Sequence, residues 1–453
     1  MKILVAGAGK VGKALTDELT SEGHDITLID SSTKVLEEVM SRYDVITLQG
    51  NAASKAVLEE AGIDQMDVFI AATNADEVNL LACITVHAMN PKVHTIARIR
   101  DPQYVEQAYS MSEVFALSLI INPERQAAEE IAGLLKYPGF LQRERFAKAH
   151  VEIVELKVNK GSRLVNVQLS NLPSITRSKV LVCAVVREGK SIMPDGSFVL
   201  KQDDRIFVTG EPDQLHGMLT HIGIINMPVR HAVLAGGGRI SYYLAQLLHS
   251  ANIATSIIEV DPKKCRELAE MLPFATIING DVSDRATLDA EEIAGYDAVV
   301  SLTGMDELNI VTSMYANLNN VSNIVTKLGR GEETDLIENM PIGSVVCPKQ
   351  LCTMHIVRYI RAMQNKEGAA LTVHRIAAGN AEAIEFMVDE NTRHIGDQLK
   401  NIKTIKNALI VTISHNGKAE IAHGSSSFQD GDIVVVITNK ETAVRQLNDI
   451  FAD

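Results

Sequence analysis

The sequence predicts an α/β protein built as a tandem repeat: two doubly wound parallel-sheet domains, each followed by a small α+β domain. Three observations carry this. The opening of the chain recurs at an offset of 229 residues, with Gly7, Gly9 and Asp30 falling on Gly236, Gly238 and Glu259. Within each repeat, apolar strands of four to six residues alternate with helical patterns, as parallel sheets with crossover helices require. Each repeat also begins with a strand that runs into a glycine-rich turn and then an amphipathic helix.

The first strand-turn-helix-strand is KILVAGAGKVGKALTDELTSEGHDITLID, and its echo is RHAVLAGGGRISYYLAQLLHSANIATSIIEVD, from Arg230. Apolar residues share one face of each helix: Val11, Ala14, Leu15 and Leu19 in the first, Ile240, Tyr243, Leu244 and Leu247 in the second. The match continues through LQGNAAS (48–54) and INGDVSD (278–284), then VFIAATNADEVNLL (68–81) and AVVSLTGMDELNIV (298–311). Each copy adds an apolar strand (HTIARI; SNIVTKL) and a strand-plus-proline step (LIINPE; SVVCPKQ). The apolar stripes after Pro123 and Pro348 (Ile131, Leu134, Leu135; Ile356, Tyr359, Ile360) read as core or packing surface.

Behind each unit lies a module of alternating strands. The first is VEIVELKV, VLVCAVVREGKSIM and DRIFVTG; the second is VHRIAA, IEFMV, LIVTISHNGKAEIA and DIVVVIT. Asp195-Gly196 and Asn416-Gly417 read as turns of small hairpin sheets. EPDQLHGMLTHI and ETAVRQLNDIF read as closing helices. The predicted domains are 1–136, 137–225, 230–362 and 363–453, with hinges at 137–150 and around RAMQNKEG.

Composition narrows the function. The chain has 453 residues, 46% hydrophobic and 22% charged, enough for several soluble cores. A net charge of -14 repels a polyanion and argues against a nucleic-acid partner. Five scattered cysteines suit reduced core thiols better than a disulfide framework. No CxxC pair or HExxH helix marks a metal site, and Cys347 and Cys352 have the wrong spacing for a zinc knuckle. The first strand starts at residue 3, so no signal peptide is expected. The longest uncharged stretch, 308–326, is rich in asparagine and hydroxyl residues and does not read as a membrane span.

The chemistry lies in the turns. A Gly-x-Gly-x-x-Gly turn between strand and helix, with an acid ending the next strand, is the pattern of a Rossmann-like phosphate cradle. Gly7 permits the tight turn, Gly9 lets backbone approach a pyrophosphate, and Gly12 allows close helix packing; Ala8, Lys10 and Val11 complete the cradle. Asp30 is placed to accept both hydroxyls of an adenosine ribose and to repel a 2′-phosphate, which favours NAD(H) or ATP/ADP over NADP. The second cradle is Gly236, Gly237, Gly238, Arg239 and Ile240, with Glu259 as its acid and Ser241 in place of the third glycine. Weaker or differently selective binding is expected there. Loop residues at the carboxyl ends of the strands complete the candidate sites. They are Asn51, Thr73, Asn74 and Arg98 in the first copy, and Asp281, Thr303 and Lys327 in the second. Thr73 and Asp76 also have capping-box spacing.

A dehydrogenase needs a proton donor or acceptor beside its substrate and a roof over the nicotinamide. The small modules offer no His-Asp or Lys-Tyr constellation, and no GxSxG elbow or Walker motif appears. No catalytic residue is assigned.

The series VAGAGKVG, strand-end acid, GN/GD, ATN-DE-N and AR-R, followed by a small sheet module, resembles the regulator-of-K⁺-conductance family (RCK, also called KTN). The resemblance covers essentially the whole chain as an N-C-N-C tandem. It implies RCK-N units at 1–136 and 230–362, each with an RCK-C domain behind it. It also implies a cytoplasmic, peripheral regulatory subunit on the inner face of the membrane, in a homo-oligomeric ring (dimer or tetramer) beneath an integral Trk-type K⁺ transporter. NAD(H), and in some members ATP or ADP, would occupy the cradles. Two other readings stay open: an NAD-dependent oxidoreductase, and a sensor serving some other channel or antiporter.

Overall fold

The computed structural model describes residues 1–136, 140–146, 149–223, 228–329, 340–364, 370–377, 380–439 and 444–452. The first unit runs β1 (Lys2–Ala6), α1 (Lys10–Ser21), β2 (Asp25–Asp30), α2 (Thr33–Met40), β3 (Ile46–Gln49), α3 (Lys55–Glu60) and β4 (Val68–Ala71). It continues through α4 (Asp76–Met89), β5 (His94–Arg98), α5 (Pro102–Ser110), β6 (Leu119–Ile121) and α6 (Pro123–Lys136). Its six strands are parallel in the order β3-β2-β1-β4-β5-β6, so the strand order reverses between β1 and β4. Ligands of open α/β sheets bind at the carboxyl edge of such a reversal.

The first small module holds β7 (Gln142–Phe146), β8 (Val151–Lys157), α7 (Leu172–Thr176), β9 (Leu181–Arg187), β10 (Lys190–Ile192), β11 (Arg205–Gly210) and α8 (Pro212–Ile222). Its antiparallel order is β10-β9-β11-β8-β7. Here the structure corrects two readings. The basic stretch expected as a hinge carries β7, whose Arg143 is buried and ion-paired to Glu152. The β9–β10 hairpin turns at Glu188 and Gly189, both at positive φ, whereas Asp195-Gly196 forms a turn beyond β10.

The second unit repeats the first. It runs β12 (His231–Ala235), α9 (Arg239–Ser250), β13 (Ala254–Glu259), α10 (Pro262–Met271), β14 (Thr276–Asn279), α11 (Arg285–Ala290) and β15 (Ala298–Ser301). Then come α12 (Asp306–Leu318), β16 (Asn323–Lys327), β17 (Ser344–Val346) and α13 (Pro348–Gln364), with sheet order β14-β13-β12-β15-β16-β17. Its small module holds β18 (Ala370–Ile376), β19 (Ala381–Met387), β20 (Ala408–His415), β21 (Lys418–Ile421) and β22 (Ile433–Asn439), in the order β18-β19-β22-β20-β21. Asn416-Gly417 makes the expected β20–β21 hairpin turn, both residues at positive φ. The closing helix expected at ETAVRQLNDIF is, over its described part, a 3₁₀ turn at Leu447–Ile450; residues 440–443 lie outside the described residues, as does 365–369 of the second expected hinge.

The two halves exchange helices. α13, from the end of the second unit, packs on α1 of the first; α6, from the end of the first, packs on α9 of the second. Cys352, Ile356, Val357 and Ile360 of α13 share a core with Ile3, Val5, Leu15 and Leu19. Ala127, Ile131 and Leu135 of α6 join Ile240, Leu244 and Leu248. Each buried aliphatic side chain contributes about 1.5–3 kcal/mol, so three or four of them rival the net stability of a whole domain, about 5–15 kcal/mol. The small sheets pack against each other through Phe146, Val151, Ile153 and Phe207 on one side and Ile376, Ala383, Val411 and Val435 on the other. No described helix is long and apolar enough to cross a membrane.

This exchange makes a specific prediction. Ile360→Ala removes a fully buried side chain and is expected to destabilise the fold by about 2–5 kcal/mol. The loss should appear in the first unit although Ile360 belongs to the second repeat. Amide exchange in β1 and β2 should accelerate more than in β12 and β13; the opposite order would refute the exchanged packing.

Candidate functional site

Both turns sit at the carboxyl edge of their sheets, where the strand order reverses. In the first, Gly7 has φ +99°, and a Cβ there would stand 2.9 Å from the backbone of Ala72 and Thr73. The turn thus touches the loop after β4, and glycine is required on both counts. Gly9 caps α1 with open space around it, and Ala8 and Val11 are buried. Gly12 is the tightest position: a Cβ would lie 1.8 Å from the Gly7 carbonyl oxygen. Asp30 closes the cradle, its carboxylate accepting from the Ala8 amide (2.6 Å) and the Ser32 amide (2.8 Å). Among the described residues no cation pairs with it. Lys10 is exposed and reaches toward the second unit, its Nζ 3.7 Å from where a Cβ of Gly329 would stand.

The second cradle has the same frame and different contents. Gly236 has φ +109°, Gly238 caps α9, Arg239 is exposed and Ile240 is buried. Ser241, in place of the third glycine, is fully buried and donates its hydroxyl hydrogen bond to the Gly236 carbonyl. The steric conflict that forbids a side chain at Gly12 has become a hydrogen bond. Glu259 accepts from the amides of Gly237 (2.9 Å) and Asp261 (3.0 Å) and from Lys264 Nζ (2.9 Å). Burial raises its pKa, but the Asp261 amide, Lys264 and the Gly237 amide together hold the carboxyl below its ordinary 4.5. A Cβ on Gly237 would meet Leu268 Cδ1 at 2.5 Å, so this turn leaves no room for the alanine found at Ala8.

The neighbouring loops have a structural role, by other bonds than the capping box the spacing suggests. Ala75, with no side-chain cap, precedes α4, so Thr73 and Asp76 do not form a capping box. Asp76 instead accepts from the amides of Arg100 (2.7 Å) and Asp101 (2.8 Å), which fixes the loop after β5. The residue missed in the sequence is Asn79. Buried, it accepts from Thr73 N (2.9 Å) and Oγ1 (2.6 Å) and donates to the Arg98 carbonyl (2.8 Å). Asn309 repeats this with Thr303 (2.8 and 2.7 Å) and the Lys327 carbonyl (3.0 Å). The signal was present in DEVN and DELN at matching positions.

The remaining candidates are dispersed along the same edge. Asn74 is exposed and its carbonyl accepts from the Arg100 guanidinium. Asn51 and Asp281 are exposed and fold into their own turns, accepting from the amides of Ala53 (3.0 Å) and Ser283 (2.8 Å). Arg98 is engaged with Glu124 at 3.7 Å at the start of α6, its pKa drawn down by burial. Lys327 donates to the Thr303 carbonyl; burial draws its pKa down, Asp306 opposing and Lys10 adding to the effect.

Residues 3–123 and 232–348 each match the TrkA-N domain family, and 153–223 match the TrkA-C domain family. The chain is 30% identical over 448 residues to a "Trk system potassium uptake protein TrkA" of Vibrio alginolyticus, covering 97% of this chain and 96% of the relative. A TrkA homolog of Archaeoglobus fulgidus is 29% identical, covering all of both chains. Among solved structures, the GsuK RCK domain superposes with TM-score 0.64 at 16% identity, over 97% of this chain and 92% of that one. The GsuK channel bound to NAD superposes with TM-score 0.64 over 97% and 77%.

The two cradles predict different responses to substitution. Gly12→Ala drives a methyl into the Gly7 carbonyl and should destabilise by about 1–3 kcal/mol, whereas Ser241→Ala loses one hydrogen bond, about 0.5–1.5 kcal/mol. Urea denaturation of the full chain measures both, and a cheaper Gly12→Ala would contradict the geometry. For Glu259, a depressed folded-state pKa means stability present above pH 4.5 and lost as pH falls through the lower folded value. The stability advantage of the parent over Glu259→Gln should therefore be full near neutral pH and shrink below 4.5. An advantage that grows with acidity would overturn this.

Proposed function

The chain belongs to the TrkA family, and from that premise we propose that it is the cytoplasmic nucleotide-binding regulatory subunit of a Trk-type K⁺ uptake system. NAD(H), with ATP or ADP as the alternative, is its proposed ligand. The observation that carries this reading is the first cradle: an amide-lined turn at the N-terminus of α1 beside an Asp30 carboxylate whose oxygens each keep capacity for a hydroxyl. Such a helix terminus favours anions, and such a carboxylate favours a ribose diol. A GsuK channel of like fold has been solved with NAD and with ADP. When bound, the nucleotide supplies negative charge at the turn and hydroxyl donors at Asp30.

This chain's own residues do the rest. Gly9 and Val11 present α1's N-terminal amides, and Thr73, held by Asn79, fixes the facing loop. α1 is the helix that α13 of the other half packs against, so the cradle adjoins the contact that joins the halves. A ligand preferring one setting of that contact shifts the population by its differential affinity for the two. Polar side chains around the cradles are committed to holding loops: Asn79 and Asn309 to Thr73 and Thr303, Asp76 and Asp306 to backbone amides. This employment supports sensing rather than turnover. The proposed place of action is the inner face of the membrane, as a homo-oligomer against the integral K⁺ subunit.

Two measurements test the reading. In a strain lacking this chain, K⁺ uptake at limiting K⁺ should fall, and Asp30→Ala should restore it poorly while weakening NAD(H) binding about tenfold or more, the value of one lost charged hydrogen bond. Unchanged uptake in the deletion strain would overturn the transporter assignment. Sustained NAD reduction with a hydroxy or amino acid would replace the sensor with an oxidoreductase.

A further inference from the structure

The two cradles differ at the point where an adenosine ribose is recognised, and the difference is one of available donors and acceptors. In the first, each Asp30 oxygen accepts one backbone amide, Ala8 on Oδ2 and Ser32 on Oδ1. An ionised carboxylate offers about four lone-pair positions, so each oxygen retains one, enough for both hydroxyls of an unmodified ribose. In the second, Glu259 Oε2 already accepts two donors, the Gly237 amide and Lys264 Nζ, while Oε1 accepts only the Asp261 amide. One open acceptor remains, beside an ammonium with donors to spare. Lys264 is 43% exposed, so it is accessible from the cleft.

Lys264 is the residue that distinguishes the copies. It follows Glu259 by five positions, as Val35 follows Asp30. Lys34 and Lys263 occupy matching positions and cannot discriminate between the sites. Asp30 carries an uncompensated negative charge that repels a phosphate on the ribose; Lys264 cancels that charge at Glu259. Leu268 Cδ1 and Glu259 Oε2 lie 2.5 Å and 2.9 Å from where a Cβ of Gly237 would stand, so both crowd this turn.

We propose that the second cradle is selective for a nucleotide whose adenosine ribose carries a 2′-phosphate, with Lys264 as the specificity-determining residue. The one open acceptor on Glu259 takes the remaining 3′-hydroxyl, and Lys264, still bonded to Glu259 Oε2, gives its spare donors to the phosphate. The first cradle, with Asp30 and Val35, takes the unphosphorylated ribose. The chain then reads two nucleotide pools at once, one in each half. This rests on the nucleotide reading of the cradles given above.

The test is calorimetric titration of the full chain with NADP⁺ and, separately, NAD⁺. The expected result is an NADP⁺ site that Lys264→Val weakens about tenfold or more, with NAD⁺ binding at the first cradle unchanged. Asp30→Ala should weaken NAD⁺ and leave NADP⁺ unaffected. The reciprocal variant Val35→Lys should give the first cradle measurable NADP⁺ affinity, a gain that misfolding cannot produce. NAD⁺ binding with no NADP⁺ binding, or NADP⁺ affinity indifferent to Lys264→Val, would overturn this proposal and leave the sensor reading standing. Failure of NAD⁺, NADP⁺, ATP and ADP alike to bind would bring down both.

Discussion

Ile356, Val357 and Ile360 place a helix from the second half of the chain in the core of the first, and most of the remaining architecture depends on that packing. α1 and α9 each carry an apolar stripe broader than their own sheet covers. The stripe is completed by a helix delivered from the other repeat: α13 for α1, α6 for α9. Neither parallel-sheet unit buries its first helix alone. The polar contacts along the exchange follow the same logic, with Arg361 of α13 ion-paired to Glu22 and Tyr243 of α9 bonded to Asn122 (3.0 Å) before α6. The two cradles, which lie at the N-termini of α1 and α9, are consequently fixed relative to each other by the packing that holds the halves together.

Within that shared frame the copies have diverged where a ligand would be read and stayed alike where backbone must be held. Asn79 and Asn309 make the same set of bonds to within a few tenths of an ångström, and Asp76 and Asp306 both serve loop amides. The turn and its acid differ: Gly12 against Ser241, Asp30 against Glu259, Val35 against Lys264. Ser241 shows how such divergence is accommodated. Its hydroxyl bonds the Gly236 carbonyl, whereas a Cβ at Gly12 would stand 1.8 Å from the matching Gly7 oxygen. In the proposed nucleotide reading, a frame this constrained would change its ligand preference through side chains at the ribose end, since the phosphate end is mostly backbone.

The sequence made the fold legible because its signals are local and repeated. Strand patterns, glycine turns and strand-end acids each recur at nearly fixed offset, and both sheets have the order that such patterns demand. Three things were not legible. β7 carries QRERF, whose charges suggest solvent, yet Arg143 is buried because Glu152 on the adjacent strand neutralises it; a cross-strand pair cannot be read from either strand alone. Asn79 and Asn309 looked like ordinary polar helix residues because their partners lie on loops six residues back and across the sheet. The helix exchange was invisible for the same reason. The stripes on α6 and α13 announce burial, but amphipathicity does not name the surface that covers it. The Glu124 partner of Arg98, 3.7 Å away at the start of α6, was equally invisible from the strand-end position that made Arg98 a candidate.

The small sheets extend the constraint away from the cradles. Glu144 on β7 meets Arg358 of α13 at 3.2 Å and also contacts His374 of β18, and burial holds the His374 pKa below its ordinary value. Ala149 donates its amide to Glu385 of β19 at 2.8 Å. α13 therefore touches α1, which starts at the first cradle, and at its other side an ionic cluster joining the two small sheets. His374 is buried while Glu144 and Arg358 are half-buried, so displacing one partner leaves a poorly solvated charge. The apolar stripe of α13 completes the core of the first unit, and its polar flank ties that same helix to both small sheets.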